Sequence, residues 1–308
     1  MMFRKAILAR LLMAALSLAA AQSPALAQSV TVEHPQGTTV IEGVPQTVMV
    51  ADWAAYDNLT ALGVPVAGVP STAMPSYLAD TVPAGTQRIG SLQEPDIEGI
   101  AAAAPDLVIV AARSRTAYPT LSGLVPTIDM SVDNARLVEG VKDNLATYGR
   151  IFGRQEQADA LIAALDDKLA VAREAVKGKG RGLVVITNAG RLGIYGTGSR
   201  VAWLHSAIGI PPVADQVDDR RDGGDGASFE YLLETNPDWL FVIDRDAAIG
   251  REGSARATLD NELIHQTRFW QNDRIIYLDP GAAYVTMHGY SGLMLLLDQV
   301  IEGYARAE

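Results

Sequence analysis

Trp239-Leu-Phe-Val-Ile243 is an unbroken apolar run closed by Asp244 and Arg245, the pattern of a strand covered on both faces. Before it, Phe229, Leu232 and Leu233 recur at helical spacing until Asn236-Pro237. The stop is steric, because a proline ring pushes the preceding residue out of the α region. The same order occurs upstream: a helix beginning near Glu98, a stop at Pro105-Asp106, and an apolar strand from Leu107 to Val110. In each copy a glutamate (Glu98, Glu230) lies seven residues before the proline, and an arginine (Arg113, Arg245) follows the strand. A helix–strand unit used twice predicts two similar α/β lobes rather than one larger sheet.

Around these units the pattern assigns the remaining elements. Residues 30–50 read as short strands broken by glycine and proline, and 52–62 as a helix with Trp53, Tyr56 and Leu59 on one face. Strands are predicted at 64–69 and 126–130, with a polar loop over 70–87 between the first of these and Arg88. From Leu137 to Lys177 there is no proline, and Ala158, Leu161, Ile162, Leu165, Leu169 and Val171 mark a helical face closed by Gly178-Lys-Gly180. That run predicts a stiff helical connection between the lobes. The second lobe is predicted to hold a strand at 182–187, a glycine-rich loop over 188–200, a helix at 201–208, a strand at 275–278 and a last helix over 291–304. The expected division is a leader over 1–27, an N-terminal lobe over 28–145, a linking helix over 146–179 and a C-terminal lobe over 180–308.

Composition narrows the setting. A chain of 308 residues with 48% hydrophobic and 20% charged positions can bury a substantial core. Arg4, Lys5 and Arg10 precede an apolar run over 11–21, and Ala25-Leu26-Ala27 reads as a cleavage site before Gln28. The run is short for a membrane span, so a cleaved leader is expected, with a retained anchor as the alternative. The absence of cysteine excludes a disulfide framework, thiolate metal sites, cysteine nucleophiles and a lipid-bearing cysteine. A free protein in a periplasm is the expectation. Loss of the leader removes three positive and no negative charges, moving the net charge from -11 to -14. Such a surface disfavours nucleic acid and anionic membranes, and gives weight to any arginine in a pocket.

Arg113, Arg200 and Arg245 each follow a strand or a glycine-rich turn. Arginine offers five donors and keeps its charge, so several in one cleft suit a polyanion. On the residues alone, three surface or salt-bridged arginines are the simpler reading. Longer stretches decide the matter: PDLVIVAARSRTAY (105–118), ITNAGRLGIYGTGSR (186–200), FEYLLETNPDWLFVIDR (229–245) and IIYLDPGAAYVTMHG (275–289). They resemble the periplasmic siderophore-binding proteins of iron-chelate ABC importers, which belong to the helical-backbone class (class III). The likeness is strongest to the branch that binds ferric enterobactin- and petrobactin-type catecholates.

The resemblance implies two Rossmann-like lobes with central β-sheets joined by one long backbone helix. It implies a monomeric, non-enzymatic receptor with no covalent cofactor, whose ligand is a ferric siderophore passed to an inner-membrane ABC permease. Arg113, Arg200 and Arg245 match the family's ligand-binding arginines, and Tyr284 matches a tyrosine that completes the iron shell together with a histidine. The loop where that histidine would lie, 220–228, contains none. Either the chelate saturates its own iron or His288 substitutes, while Arg220 and Arg221 add charge. Glu98 and Glu230 match the glutamates that dock on the permease; on the residues alone they are helix-start acids favoured by the helix dipole. Haem and cobalamin receptors share the fold and remain alternatives.

Other classes find less in the chain. The histidines at 34, 205, 265 and 288 are scattered, whereas a zinc or manganese receptor needs clustered ligands. Residues 190–198, GRLGIYGTG, lack the Lys-Ser/Thr of a phosphate loop and the spacing of a dinucleotide fingerprint. His-Gly-Tyr-Ser-Gly around Ser291 is one position off a nucleophile elbow, which leaves an exported hydrolase as the enzyme-class alternative.

Overall fold

The computed structural model describes residues 29–213, 217–218 and 224–307. The leader expected over 1–27, together with Arg220 and Arg221, lies outside them. Strands β1 (Val30–His34) and β2 (Gly37–Ile41) form a separate antiparallel hairpin. The N-terminal lobe is a parallel sheet of β3 (Val48–Val50), β4 (Gly68–Val69), β5 (Gln87–Arg88), β6 (Leu107–Val110) and β7 (Thr127–Asp129). Its order is β5-β4-β3-β6-β7. Helix α1 (Trp53–Ala61) starts at Asp52, whose Oδ1 accepts from the N–H groups of Ala54 and Ala55. Helix α2 (Ile97–Ala103) ends where Ala104 turns left-handed, φ 45°, directly before Pro105.

Helices α3 (Leu137–Phe152) and α4 (Gln155–Val176) occupy the proline-free stretch. They are divided at Gly153, which takes φ 63°, a conformation glycine adopts without steric penalty. The 22 residues of α4 span about 33 Å and form the link between the lobes. Its buried positions are Ala158, Leu165, Leu169, Ala172 and Val176. Val171, expected on that face, is 54% exposed, because it stands only two residues from Leu169, which turns it away from the stripe that Ala172 and Val176 continue. Lys142 on α3 pairs with Asp166, and Lys168 pairs with Asp298 of the C-terminal helix, so α4 is tied on both sides.

The C-terminal lobe contains β8 (Gly182–Asn188), β9 (Arg191–Tyr195), β10 (Asp225–Ala227), β11 (Trp239–Asp244) and β12 (Ile275–Tyr277), in the order β10-β9-β8-β11-β12. Helix α5 (Phe229–Thr235) ends at Asn236, φ 39°, before Pro237, the same stop as α2. In each lobe the repeated strand, β6 or β11, pairs in parallel between the central strand and an edge strand. On the other side the lobes differ. β3 pairs with β4 in parallel, whereas β8 and β9 form an antiparallel hairpin.

That hairpin corrects the loop expected over 188–200. Ala189 and Gly190 have φ of 49° and 76°, the two positive values a tight two-residue turn needs, so the chain reverses and pairs Asn188 with Arg191. The helix expected at 201–208 is a single turn, Trp203–Ser206. Helices α6 (Pro280–Tyr284) and α7 (Tyr290–Arg306) complete the chain. One continuous buried cluster runs from Trp53 and Leu59 through Leu165 and Leu169 to Trp203 and Phe241, joining both lobes and the linker. Among the described residues no helix is long and apolar enough to cross a membrane.

Candidate functional site

Parallel strands deliver their following loops to one edge of a sheet, and here both lobes turn that edge toward a shared cleft. In the N-terminal lobe, β6 runs into a tight turn over Ala112–Ala117. Ala112 takes a left-handed φ of 44°, unusual for a residue with a Cβ, and its N–H donates to Ser131 Oγ at 2.9 Å. The turn sends Arg113 across the cleft, where its Nη2 donates to the carbonyl of Tyr284 at 2.9 Å.

In the C-terminal lobe, Asp244 caps the turn after β11 by accepting from Ala247 N–H at 3.1 Å, which fixes Arg245 as the first residue of that turn. Arg245 Nε donates to the Tyr284 hydroxyl at 3.1 Å, and its Nη1 donates to Asn188 Oδ1 at 3.2 Å. Arg200, 7% exposed, donates through Nη1 to the Tyr284 carbonyl at 3.3 Å. Tyr284 itself is 6% exposed and ends α6, whose first turn is capped by Asp279.

The result is one aromatic ring surrounded by three cations. The guanidinium carbons of Arg113, Arg200 and Arg245 lie 5.1, 4.8 and 5.7 Å from the Tyr284 ring centroid, all within cation–π reach. Among the described residues, no carboxylate lies within ion-pair distance of Arg113 or Arg245, and Arg113 Nη1 is buried without a hydrogen-bond partner. Like charges gathered this way repel one another, and an anionic ligand relieves the repulsion. Also among the described residues, no three His, Cys, Asp or Glu side chains gather to hold a metal ion. The chemistry on offer is that of arginine donors and one phenol.

His288 stands elsewhere. It is 4% exposed, and its Nε2 lies 3.3 Å from Asp52 Oδ1, so its ring faces the start of α1. The physical reason is the grip on its backbone: Asn58 donates to the His288 carbonyl and holds the loop against the N-terminal lobe. Burial alone would push the Asp52 carboxyl up. The facing His288, the Ala55 N–H and Arg113 together outweigh burial and hold it below its ordinary value. Glu98 and Glu230 occupy the exposed first turns of α2 and α5, equivalent places in the two lobes. Hydrogen bonds from its own backbone N–H and from the Ser228 side chain keep the Glu230 carboxyl below its usual range.

Asn188 was not singled out in the sequence, since nothing local marks a strand-end asparagine as the acceptor that orients an arginine 57 positions later. Tyr195 was missed too. It sits 5.9 Å beneath Arg200, and the turn that places it is the hairpin described above.

Two α/β lobes on a single linking helix define the helical-backbone class of solute-binding proteins. Residues 48–282 match the periplasmic binding protein family, and the chain belongs to it. The petrobactin-binding protein YclQ of Bacillus subtilis is 34% identical over 282 residues, covering 90% of this chain and 88% of its own. The ferric-anguibactin-binding protein FatB of Vibrio anguillarum is 30% identical, with coverage of 89% and 87%. The solved structure of YclQ superposes with a TM-score of 0.86 at 32% identity, covering 90% of this chain and 99% of that one. The siderophore-binding protein BauB, bound to two acinetobactin molecules and ferric iron, gives 0.84 at 31% identity, with coverage of 90% and 99%.

Proposed function

We propose that this chain is the receptor of an ABC importer for ferric siderophores, exported to a periplasm by the leader over residues 1–27. It captures a catecholate-type chelate between its lobes and hands it to an inner-membrane permease; no turnover is involved. The observation that carries the proposal is the convergence of guanidinium groups from both lobes on Tyr284. A ferric tris-catecholate presents negative oxygens in several directions, which the forked donors of Arg113, Arg200 and Arg245 suit.

The chelate supplies the iron's ligands, and the Tyr284 hydroxyl is the proposed protein ligand where the chelate leaves the shell incomplete. His288, turned toward Asp52, is left out of that shell. Glu98 and Glu230, exposed at matching helix starts, are the proposed contacts to cationic side chains of the permease, and the receptor works as a monomer. Native mass spectrometry and visible absorption after incubation with a panel of ferric siderophores test the proposal. The expected result is one retained ferric catecholate per chain; a protein that retains none of the panel refutes it.

A further inference from the structure

The segment that carries Tyr284 continues past the cleft into α7, and the N-terminal lobe grips it along the way. Asp57 of α1, 0% exposed, accepts from the N–H groups of Ser291 at 3.1 Å and Gly292 at 2.9 Å. These belong to the first turn of α7, whose own N-cap, Gly289, has no side chain to offer. Asp57 also accepts from the Tyr77 hydroxyl at 2.8 Å, and that hydroxyl lies 2.6 Å from Thr286 Oγ1. Next to it, Asn58 donates to the His288 carbonyl at 3.2 Å and accepts from Tyr290 N–H at 2.8 Å. A helix of one lobe is thus capped by a carboxylate of the other.

Three glycines admit this approach. A Cβ at Gly281 would lie 2.8 Å from Pro75 Cβ, at Gly289 2.4 Å from Asp57 Oδ2, and at Gly292 2.7 Å from the Tyr77 hydroxyl. Each neighbour belongs to the opposite lobe. Such close backbone approach leaves no slack, and packed interiors transmit displacement rather than absorb it.

We propose that Asp57 is a positioning residue for the ligand site. Its contact with residues 286–292 fixes the span between Arg113 on one lobe and Arg200 and Arg245 on the other, and so sets the width of polyanion that the cleft accepts. The inference rests on the cleft being the siderophore site. A preorganised span favours the ligand that matches it, because no ordering is needed on binding.

The test compares two hexadentate ferric tris-catecholates of equal charge, one on a compact scaffold and one on a wider scaffold, by fluorescence titration. Gly292→Ala drives a methyl group against Tyr77, and Asp57→Asn weakens the cap. Both variants are expected to lose about tenfold in affinity for the compact chelate and less than about threefold for the wider one. Tyr77→Phe, which deletes one hydroxyl, decides the matter if the other two fail to fold, and should shift the ratio of affinities the same way. An unchanged ratio in the folded variants overturns the positioning role. Arg245→Ala is run alongside: it should weaken both chelates, and if it spares both, the cleft itself has been misread.

Discussion

Truncating Arg245 to alanine should produce two opposite effects. The guanidinium now holds the Tyr284 hydroxyl at 3.1 Å and Asn188 at 3.2 Å, and it stands with Arg113 and Arg200 around one ring. Toward a trianionic ferric chelate its loss removes a charge-assisted hydrogen bond, of order 1.5–3 kcal/mol, or roughly ten- to a hundredfold in affinity. Long-range attraction cannot compensate, because residues 28–308 carry a net charge of -14. At physiological salt that field is screened beyond about 8 Å, which leaves the local arginines to decide affinity. In the free protein the same substitution relieves repulsion among three guanidinium groups, so the unliganded melting temperature should hold or rise. The assay is tryptophan fluorescence quenching at fixed salt, with thermal melts of the free and loaded protein. Arg256→Ala is the control, since Arg256 is exposed and stacks 3.9 Å over Tyr277 rather than over Tyr284. If Arg256→Ala weakens binding as much as Arg245→Ala does, an arginine-lined cleft is the wrong account.

Three further outcomes are expected. Glu98→Arg or Glu230→Arg should leave chelate affinity intact and lower uptake in cells, because it inverts charge at the permease contact; equal loss of binding in the purified variants would put these residues in the pocket instead. Burial pushes the Asp57 carboxyl up, against the pull of its hydrogen bonds from Ser291, Gly292 and Tyr77, so the folded protein keeps that proton longer than the unfolded chain. The parent should therefore lose stability relative to Asp57→Asn as pH rises from about 4 through the raised value, then run parallel to it, as denaturant melts across pH will show. Trp239→Ala should destabilise by about 3–5 kcal/mol in urea unfolding, because the buried indole stacks on Tyr304 at 3.8 Å and donates to the Lys179 carbonyl.

The parts of the cleft that were legible in the chain are those produced by local rules. Arg113 and Arg245 could be placed because a helix stop and a buried strand precede each of them. The stops at Ala104 and Asn236 are left-handed residues before proline, and the strands they feed are apolar throughout. The hairpin at Ala189-Gly190 was less legible. Glycines at 190, 193, 196 and 198 read as loop, although three of them lie within or beside a strand that pairs fully with β8. Helical spacing found the buried face of α4, but Val171 was included for its apolar side chain although Ala172, three residues after Leu169, is the position that continues the face.

What the sequence by itself determined, then, is the set of elements: two helix–strand units, a proline-free link and the loops that carry arginine. Tertiary structure decided what those loops meet. That three guanidinium groups share the ring of Tyr284, that His288 faces Asp52, and that Asp57 caps a helix more than 230 positions away are contacts between lobes. Backbone preferences extend over a few residues and carry no information about a partner that only folding brings near. Glycines 281, 289 and 292 show the limit most clearly. Nothing around them in the chain marks them out, and only the approach of Pro75, Asp57 and Tyr77 from the other lobe gives the missing side chains a physical reason.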